Sequence, residues 1–129
     1  SSLPSTMTPQ IRSLRPFIGA KEFATSRSFY QAFGFTETVL SPAMSLFTLE
    51  GVSFYLQDYY AAEWVDNTML FLEVEDVEQY WQQLTTLDLP GRFSGVKLLP
   101  IRHEAWGKEC FVHDPAGVLW HIGEFTNGQ

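Results

Sequence analysis

The chain is 129 residues long, which is enough for one domain with a substantial hydrophobic core. Hydrophobic residues make up 45% of it and aromatic residues 16%, which excludes a disordered chain. Fifteen acidic and eight basic side chains give a net charge of −7, which opposes contact with a phosphate backbone, so we expect no nucleic-acid partner.

The first half of the chain predicts a strand, a helix and then three strands. Loose alternation over residues 15–23 indicates the first strand. Thr25 and Ser26 offer capping hydroxyls before a helix over residues 27–33, which Gly34 ends. The three strands are predicted over residues 35–40, 44–49 and 52–57.

The same pattern restarts after an irregular stretch, residues 58–67, which could form a short helical turn. An apolar strand over residues 68–74 leads to Asp76, a good N-cap for a second helix. Laying residues 18–33 over residues 69–84 without a gap aligns the two halves. After a loop at Leu89-Pro90-Gly91, three more strands are predicted over residues 96–103, 107–113 and 118–125.

The domain organisation follows from this repeat. We expect a flexible leader over residues 1–14 and a single domain over residues 15–125, with halves at about 15–58 and 67–125. The fold class is α+β: two βαβββ repeats that form a cupped mixed sheet.

One face of the predicted sheet carries aromatic and polar side chains. Alternation places Phe71 beside Met69 and Glu73, and Tyr55 beside Ser53 and Gln57, on the faces turned away from the helices. A cupped face of this composition is typical of a small-molecule cavity. The alternative is that the many aromatic residues simply fill the core.

The last hairpin carries a histidine of interest. Asp114-Pro115-Ala116-Gly117 has the composition of a β-turn, and the strand after it places Leu119 and His121 on one face. His121 is either a ligand or base in a cavity, or a buried histidine with a hydrogen-bond partner.

The single cysteine and the hydropathy exclude other classes. Cys110 alone cannot form an intrachain disulfide or a cysteine-based zinc site, and its strand context predicts a small buried residue. No apolar run approaches the roughly 20 residues of a membrane span, and the start of the chain lacks the apolar segment of a signal peptide. We therefore expect a cytoplasmic protein without a membrane partner.

Two motifs resemble a known superfamily. The stretch from Thr25 to Phe35 is similar to the Ser-x-x-Phe-Tyr helix of the vicinal oxygen chelate superfamily, which ends in Leu-Gly-Phe, and Phe111 to Gly117 is similar to its Phe-x-Asp-Pro-x-Gly turn. The superfamily includes glyoxalase I, extradiol dioxygenases, fosfomycin resistance enzymes and bleomycin resistance proteins. The resemblance runs from about Arg15 to Glu124. Asp66-Asn67-Thr68-Met69 and Trp106-Gly107-Lys108-Glu109 look most like the bleomycin resistance branch.

The metal enzymes of this superfamily take Glu, Gln or His ligands from the first and last strands of each half. Here the corresponding positions fall on Arg15 or Pro16, on Tyr55, on Met69 and on His121, and only His121 is a usual ligand. We therefore expect no metal and no cofactor. Without a metal, the Lewis-acid chemistry of those enzymes has no agent.

The bleomycin resistance branch implies sequestration by a homodimer, often with exchanged strands, whose clefts hold a planar cationic ligand between aromatic rings. Trp106 matches the stacking tryptophan of that branch, and Phe71 and Asp66 match its aromatic and acidic positions. Thr38 departs from the pattern, because the bleomycin binders carry an acidic residue there. The predicted ligand-binding residues are Tyr55, Asp66, Phe71, Trp106 and His121.

Three functions remain open from the sequence. The first is a metal-independent small-molecule binding protein of the bleomycin resistance type, which sequesters an aromatic or cationic ligand in a dimer cleft. The alternative is a metal-dependent glyoxalase-like lyase or dioxygenase relative, with His121 as one ligand. The third is an interaction protein whose cupped face is filled by a partner chain.

Overall fold

The computed structural model describes residues 9–126. Its elements, in chain order, are β1 (Phe17–Gly19), α1 (Phe23–Phe33), β2 (Thr36–Ser41), β3 (Met44–Leu49), β4 (Val52–Gln57), α2 (Ala62–Val65), β5 (Met69–Glu73), α3 (Val77–Leu87), α4 (Leu89–Arg92), β6 (Lys97–Glu104), β7 (Gly107–His113) and β8 (Leu119–Phe125). The predicted leader falls partly on residues 1–8, which lie outside the described residues, and residues 9–14 form no helix or strand. No helix in the described part of the chain is long and apolar enough to cross a membrane.

The two long helices begin differently from the predictions. Helix α1 begins at Phe23, with Glu22 as its N-cap and no side-chain cap bond, so the prediction that Thr25 and Ser26 cap it is wrong. Ser26 lies inside the helix and is fully buried. Gly34 ends α1 at a φ of 127°, as predicted.

Asp76 caps α3 as predicted. Its Oδ1 accepts a hydrogen bond of 3.1 Å from the backbone N–H of Gln79. The predicted loop at Leu89-Pro90-Gly91 is instead the short helix α4, because Pro90 fits the first turn of a helix without needing a backbone N–H. The predicted turn before β5 forms α2.

The two halves repeat at an offset of 54 residues, since α1 and α3 begin at Phe23 and Val77 and end at Phe33 and Leu87. The gapless overlay of the sequence analysis, which paired Ile18 with Met69, is therefore shifted by about one helical turn. Burial shows the same error, because Ile18 is fully buried and Met69 is 62% exposed. The shift arose because apolar residues recur every three or four positions on a helix, so the pattern still matches one turn away.

Each half forms its own four-stranded mixed sheet. The first sheet has the order β1-β4-β3-β2 and the second β5-β8-β7-β6. In each sheet the first and last strands of the half, β1 with β4 or β5 with β8, pair in parallel, and the other pairs are antiparallel. The predicted α+β fold of two βαβββ halves is confirmed.

Aromatic rings from both halves build the core. Tyr30 of α1 lies 4.8 Å from Phe54 of the first sheet and 5.9 Å from Trp120 of the second, measured between ring centroids. All three rings are buried. Most aromatic residues lie in the core or pack against it, as the alternative interpretation expected. A smaller set remains on the open faces, which we define as the sheet faces turned away from the helices.

Candidate functional site

A row of side chains crosses the open face of the second sheet. The strand register places Phe71 opposite His121, His121 opposite Phe111, and Phe111 opposite Leu99. Residues directly opposite on neighbouring strands share a face, so these four side chains form one continuous strip. Phe71 and Leu99 at its ends are 45% and 41% exposed. The strip is apolar except for the imidazole of His121.

Phe71, which is exposed, belongs to a cluster with two half-buried aromatic rings at one end of this strip. Its ring centroid lies 5.4 Å from that of Phe125 and 6.0 Å from that of Trp106, and Trp106 lies 5.2 Å from Phe125. The ring fits because position 123 is glycine, since a Cβ there would lie 2.6 Å from Cζ of Phe71. Gly123 thus lets Phe71 lean along the sheet towards the other two rings. We call Phe71, Trp106 and Phe125 the aromatic platform.

The turn between β6 and β7 positions Trp106. Its backbone oxygen accepts a hydrogen bond of 2.9 Å from the N–H of Thr126, which fixes the turn against the end of β8. The next residue, Gly107, passes so close to β8 that a Cβ would overlap the backbone oxygen of Glu124. This close approach brings the indole beside Phe125.

His121 has a carboxylate partner. Its Nδ1 lies 3.0 Å from Oε1 of Glu109 on β7, and the two side chains are 24% and 12% exposed. A carboxylate can only accept hydrogen bonds, so Nδ1 carries a proton, and in the neutral form of the imidazole Nε2 is then an acceptor. His121 therefore has the hydrogen-bond partner that the second interpretation expected, but its ring is only partly buried.

Other charged side chains near the pair are engaged elsewhere. Arg102 lies opposite Glu109 in the register, but its guanidinium pairs with Glu104 at 3.4 Å and lies 6.0 Å from the ring centroid of Phe111. Lys108 pairs with Glu78 of α3 at 3.4 Å. Within the described residues, the hydrogen-bond partner of the Glu109 carboxylate is His121.

Tyr55 lies on the open face of the other sheet. Its hydroxyl accepts a hydrogen bond of 2.9 Å from Arg15, and its ring stacks on Phe17 at 4.8 Å. The row continues through Leu46 to Thr38, which is exposed. The structure therefore does not bring Tyr55 into contact with the aromatic platform of the same chain.

Asp66 is also separated from the platform. It ends α2, and its Oδ1 lies 3.4 Å from the position of a Cβ on Gly117, in the turn before β8. Trp106 lies at the opposite end of β8, beside Phe125. Of the five predicted residues, three come together, namely Phe71, Trp106 and His121.

The sequence did not identify four members of this site, namely Leu99, Phe111, Phe125 and Glu109. Phe125 shares the face of His121 by alternation, and that spacing could have identified it. Glu109 lies on a neighbouring strand, so its contact with His121 depends on the register of β7 against β8, which periodicity does not determine.

The donor set around His121 does not fit a metal site. Its neighbours in the row are Phe71 and Phe111, and its Nδ1 is engaged by Glu109. Among residues 9–126, no group of three or more His, Cys, Asp or Glu side chains is arranged to hold a metal ion. His113 shares the open face but pairs with Leu119, one row away from His121.

Comparison with solved structures identifies the fold. The bleomycin-binding protein of bleomycin-producing Streptomyces verticillus, solved with copper(II)-bleomycin, superposes with a TM-score of 0.75 at 20% identity, over 89% of this chain and 97% of that one. The bleomycin resistance determinant of transposon Tn5 gives a TM-score of 0.75 at 12% identity, over 88% and 98%.

An enzyme shares the same fold. Lactoylglutathione lyase from Agrobacterium tumefaciens superposes with a TM-score of 0.66 at 14% identity, over 90% of this chain and 96% of that one. The sequence matches no protein-family model and no curated protein. The chain therefore has the glyoxalase and bleomycin resistance fold, at identities that establish the fold alone.

Proposed function

We propose that the protein is a metal-independent small-molecule binding protein that sequesters a planar aromatic or cationic ligand. The observation that carries the proposal is the aromatic platform, three rings in mutual contact on an open sheet face beside His121. Solvent-accessible rings offer a flat apolar surface, and the faces of aromatic rings attract cations. The net charge of −7 also favours a cationic ligand.

The proposal includes a homodimer whose cleft joins the two kinds of open face. Phe17, next to Tyr55 on the first sheet, is 49% exposed, and Phe71 on the second sheet is 45% exposed. Exposed apolar faces of this kind are typical of surfaces that a partner covers. A second copy that lays its Tyr55 row over the platform would enclose a ligand between aromatic side chains of both protomers.

The structural neighbours support a binding role of this type, because two of them are described as bleomycin-binding proteins. We expect a planar cation simpler than bleomycin, since Thr38 replaces the acidic residue of those binders. The adjacent Glu37 does not substitute for it, because its carboxylate is bound by Arg27 at 2.6 Å and by Ser45 at 2.6 Å.

Metal independence and a cytoplasmic location complete the proposal. The donor set at His121 supports the first, and the single buried cysteine is compatible with a reducing compartment. Metal analysis of protein purified without chelator tests the first directly. A stoichiometric divalent metal that is lost in His121→Ala would favour the lyase or dioxygenase alternative instead.

Titration with the planar cation proflavine, monitored by isothermal calorimetry, tests ligand binding. Wild type should bind, and Trp106→Ala should bind at least about tenfold more weakly, because one of the three rings of the platform is removed. Trp81→Phe is the matched control, since it alters a half-buried tryptophan on α3 outside the platform. Equal affinity in wild type and Trp106→Ala would contradict the proposal.

Sedimentation shows whether the protein is a dimer, and a monomer at micromolar concentration would contradict the shared cleft.

A further inference from the structure

We propose that His121 selects ligands that carry an amine or hydroxyl hydrogen-bond donor at the edge of their aromatic ring system, and that Glu109 is the positioning residue that makes this selection possible. The inference rests on the proposed function and narrows its ligand class to planar aromatics with an N–H or O–H donor. It follows from four features of the His121–Glu109 pair.

The first feature is the tautomer. Glu109 accepts a hydrogen bond from Nδ1 of His121 at 3.0 Å, so the proton of the neutral imidazole is on Nδ1. Nε2 then carries a lone pair and accepts hydrogen bonds. Without the carboxylate, the two neutral tautomers would compete, and Nε2 would be a donor for part of the time.

The second feature is that Nε2 is free. Within residues 9–126, Nε2 forms no hydrogen bond with the protein. It is not buried either, because the only buried side-chain polar atom without a partner in this part of the chain is Oγ of Ser26. Nε2 of His121 is therefore accessible from the open face. A ligand that covers it without offering a donor leaves a polar atom both buried and unpaired, which weakens binding.

The third feature is that the ring is held in place. The imidazole lies between Phe71, at a centroid distance of 6.1 Å, and Phe111, at 5.1 Å. The Glu109 residue that holds its other edge is 9% exposed. Packing on both sides and one hydrogen bond together fix the direction of the free lone pair.

The fourth feature is the orientation relative to the platform. The planes of His121 and Phe71 differ by 19°, and the lone pair of Nε2 lies in the plane of the imidazole. A flat ligand that packs parallel to Phe71 is therefore also nearly parallel to the imidazole, which is the orientation that an in-plane hydrogen bond from its edge to Nε2 requires. The platform thus supplies stacking area, and His121 supplies the polar contact that distinguishes one flat ligand from another.

The test compares two dyes, proflavine and acridine orange, by calorimetry at mildly alkaline pH. Both dyes are used as their 10-methyl derivatives, which share a planar, positively charged acridinium ring without a ring N–H, but the proflavine derivative carries primary amines and the acridine orange derivative carries dimethylamines. Wild type should bind proflavine about tenfold or more tightly than acridine orange. The difference should disappear in His121→Phe, which keeps a flat ring but has no acceptor. His121→Gln, whose amide oxygen can accept, should keep part of it.

Glu109→Gln tests the positioning role. The amide can donate as well as accept, so the preference for the Nδ1–H tautomer and the discrimination between the dyes should both decrease. The ¹⁵N chemical shifts of the imidazole report the tautomer directly, and a merely structural role of Glu109 would not change them. Unchanged shifts together with unchanged discrimination would overturn the assignment of Glu109.

The remaining outcomes separate the inference from the proposed function. Equal affinity of wild type for both dyes overturns donor selection while leaving ligand binding intact. Failure of both dyes to bind overturns the inference and the proposed function together. A preference for proflavine that persists in His121→Phe shows that another group is the acceptor.

Discussion

The hydroxyl of Tyr30 on α1 donates a hydrogen bond of 2.7 Å to Oδ2 of Asp114, which lies 84 residues later in the turn before β8. The indole N–H of Trp120 donates to the same hydroxyl at 2.9 Å. The other carboxylate oxygen, Oδ1, accepts three backbone N–H groups of the turn. Burial, and next the charge of Asp114, raise the pKa of Tyr30 well above its usual value, so the phenol remains a donor. This bond joins the helix of the first half to the last hairpin of the second.

Tyr30→Phe should therefore lower the free energy of unfolding by about 2–3 kcal/mol, because it leaves Oδ2 of Asp114 and the indole N–H without their buried partner. Urea unfolding followed by circular dichroism measures the change. Tyr59→Phe is the matched control, since Tyr59 is 60% exposed, and it should change stability by less than about 0.5 kcal/mol. Equal effects of the two substitutions would show that the buried bond is not important.

Gly123→Ala should weaken ligand binding more than it weakens the fold. The new Cβ would come within 2.6 Å of Phe71, whose ring can move because it is 45% exposed. Displacing that ring breaks up the aromatic platform, so we expect about tenfold weaker proflavine binding with less than about 1 kcal/mol lost from the free energy of unfolding. Calorimetry and urea unfolding on the same preparation measure both quantities. Unchanged affinity would mean that Phe71 is not part of the binding surface.

Glu37 predicts a pH dependence of stability. Burial alone would raise the pKa of Glu37, but hydrogen bonds from Arg27, Ser45 and Gln31 and the charge of Arg27 outweigh burial, so the pKa is lowered from the usual 4.5. A carboxyl whose pKa is lower in the folded state stabilises the fold above its unfolded pKa, and this stabilisation disappears as the pH falls through the folded pKa.

Glu37→Gln should accordingly lower the free energy of unfolding by about 1–2 kcal/mol at neutral pH. This value is in the lower part of the range for hydrogen bonds to a charged group, because the Arg27 side chain is 37% exposed and solvent weakens its interaction with Glu37. The difference from wild type should shrink below about pH 4. Urea unfolding across this pH range measures it, with the exposed Glu63→Gln as control. A difference that is constant with pH would contradict the charged network.

The alternation of strand residues predicted the faces correctly but not the contacts between strands. Phe71 and His121 were placed on open faces because side chains alternate every second residue. The partner of His121 was not predicted, because Glu109 lies on a neighbouring strand, two residues before Phe111, which is the residue directly opposite His121. Only the register of β7 against β8 brings Glu109 to 3.0 Å from His121.

The alternation of residues also could not predict that the two halves form separate sheets. Tyr55 has the predicted face, but it belongs to the first sheet, whereas His121 belongs to the second. Whether two such faces meet depends on packing between halves or between protomers, and single-residue periodicity contains no information about either. The start of α1 was misplaced for a local reason, since Glu22 caps the helix through backbone geometry without a side-chain bond.

The most direct test of the account observes the indole groups of the protein, which has four tryptophans. In a ¹H–¹⁵N spectrum recorded during titration with proflavine, the indole signal of Trp106 should shift strongly, because its ring is part of the platform. The signal of Trp120, buried and bonded to Tyr30, should stay in place. A titration in which Trp106 does not move, or in which Trp120 moves as much, would contradict a ligand site on the aromatic platform.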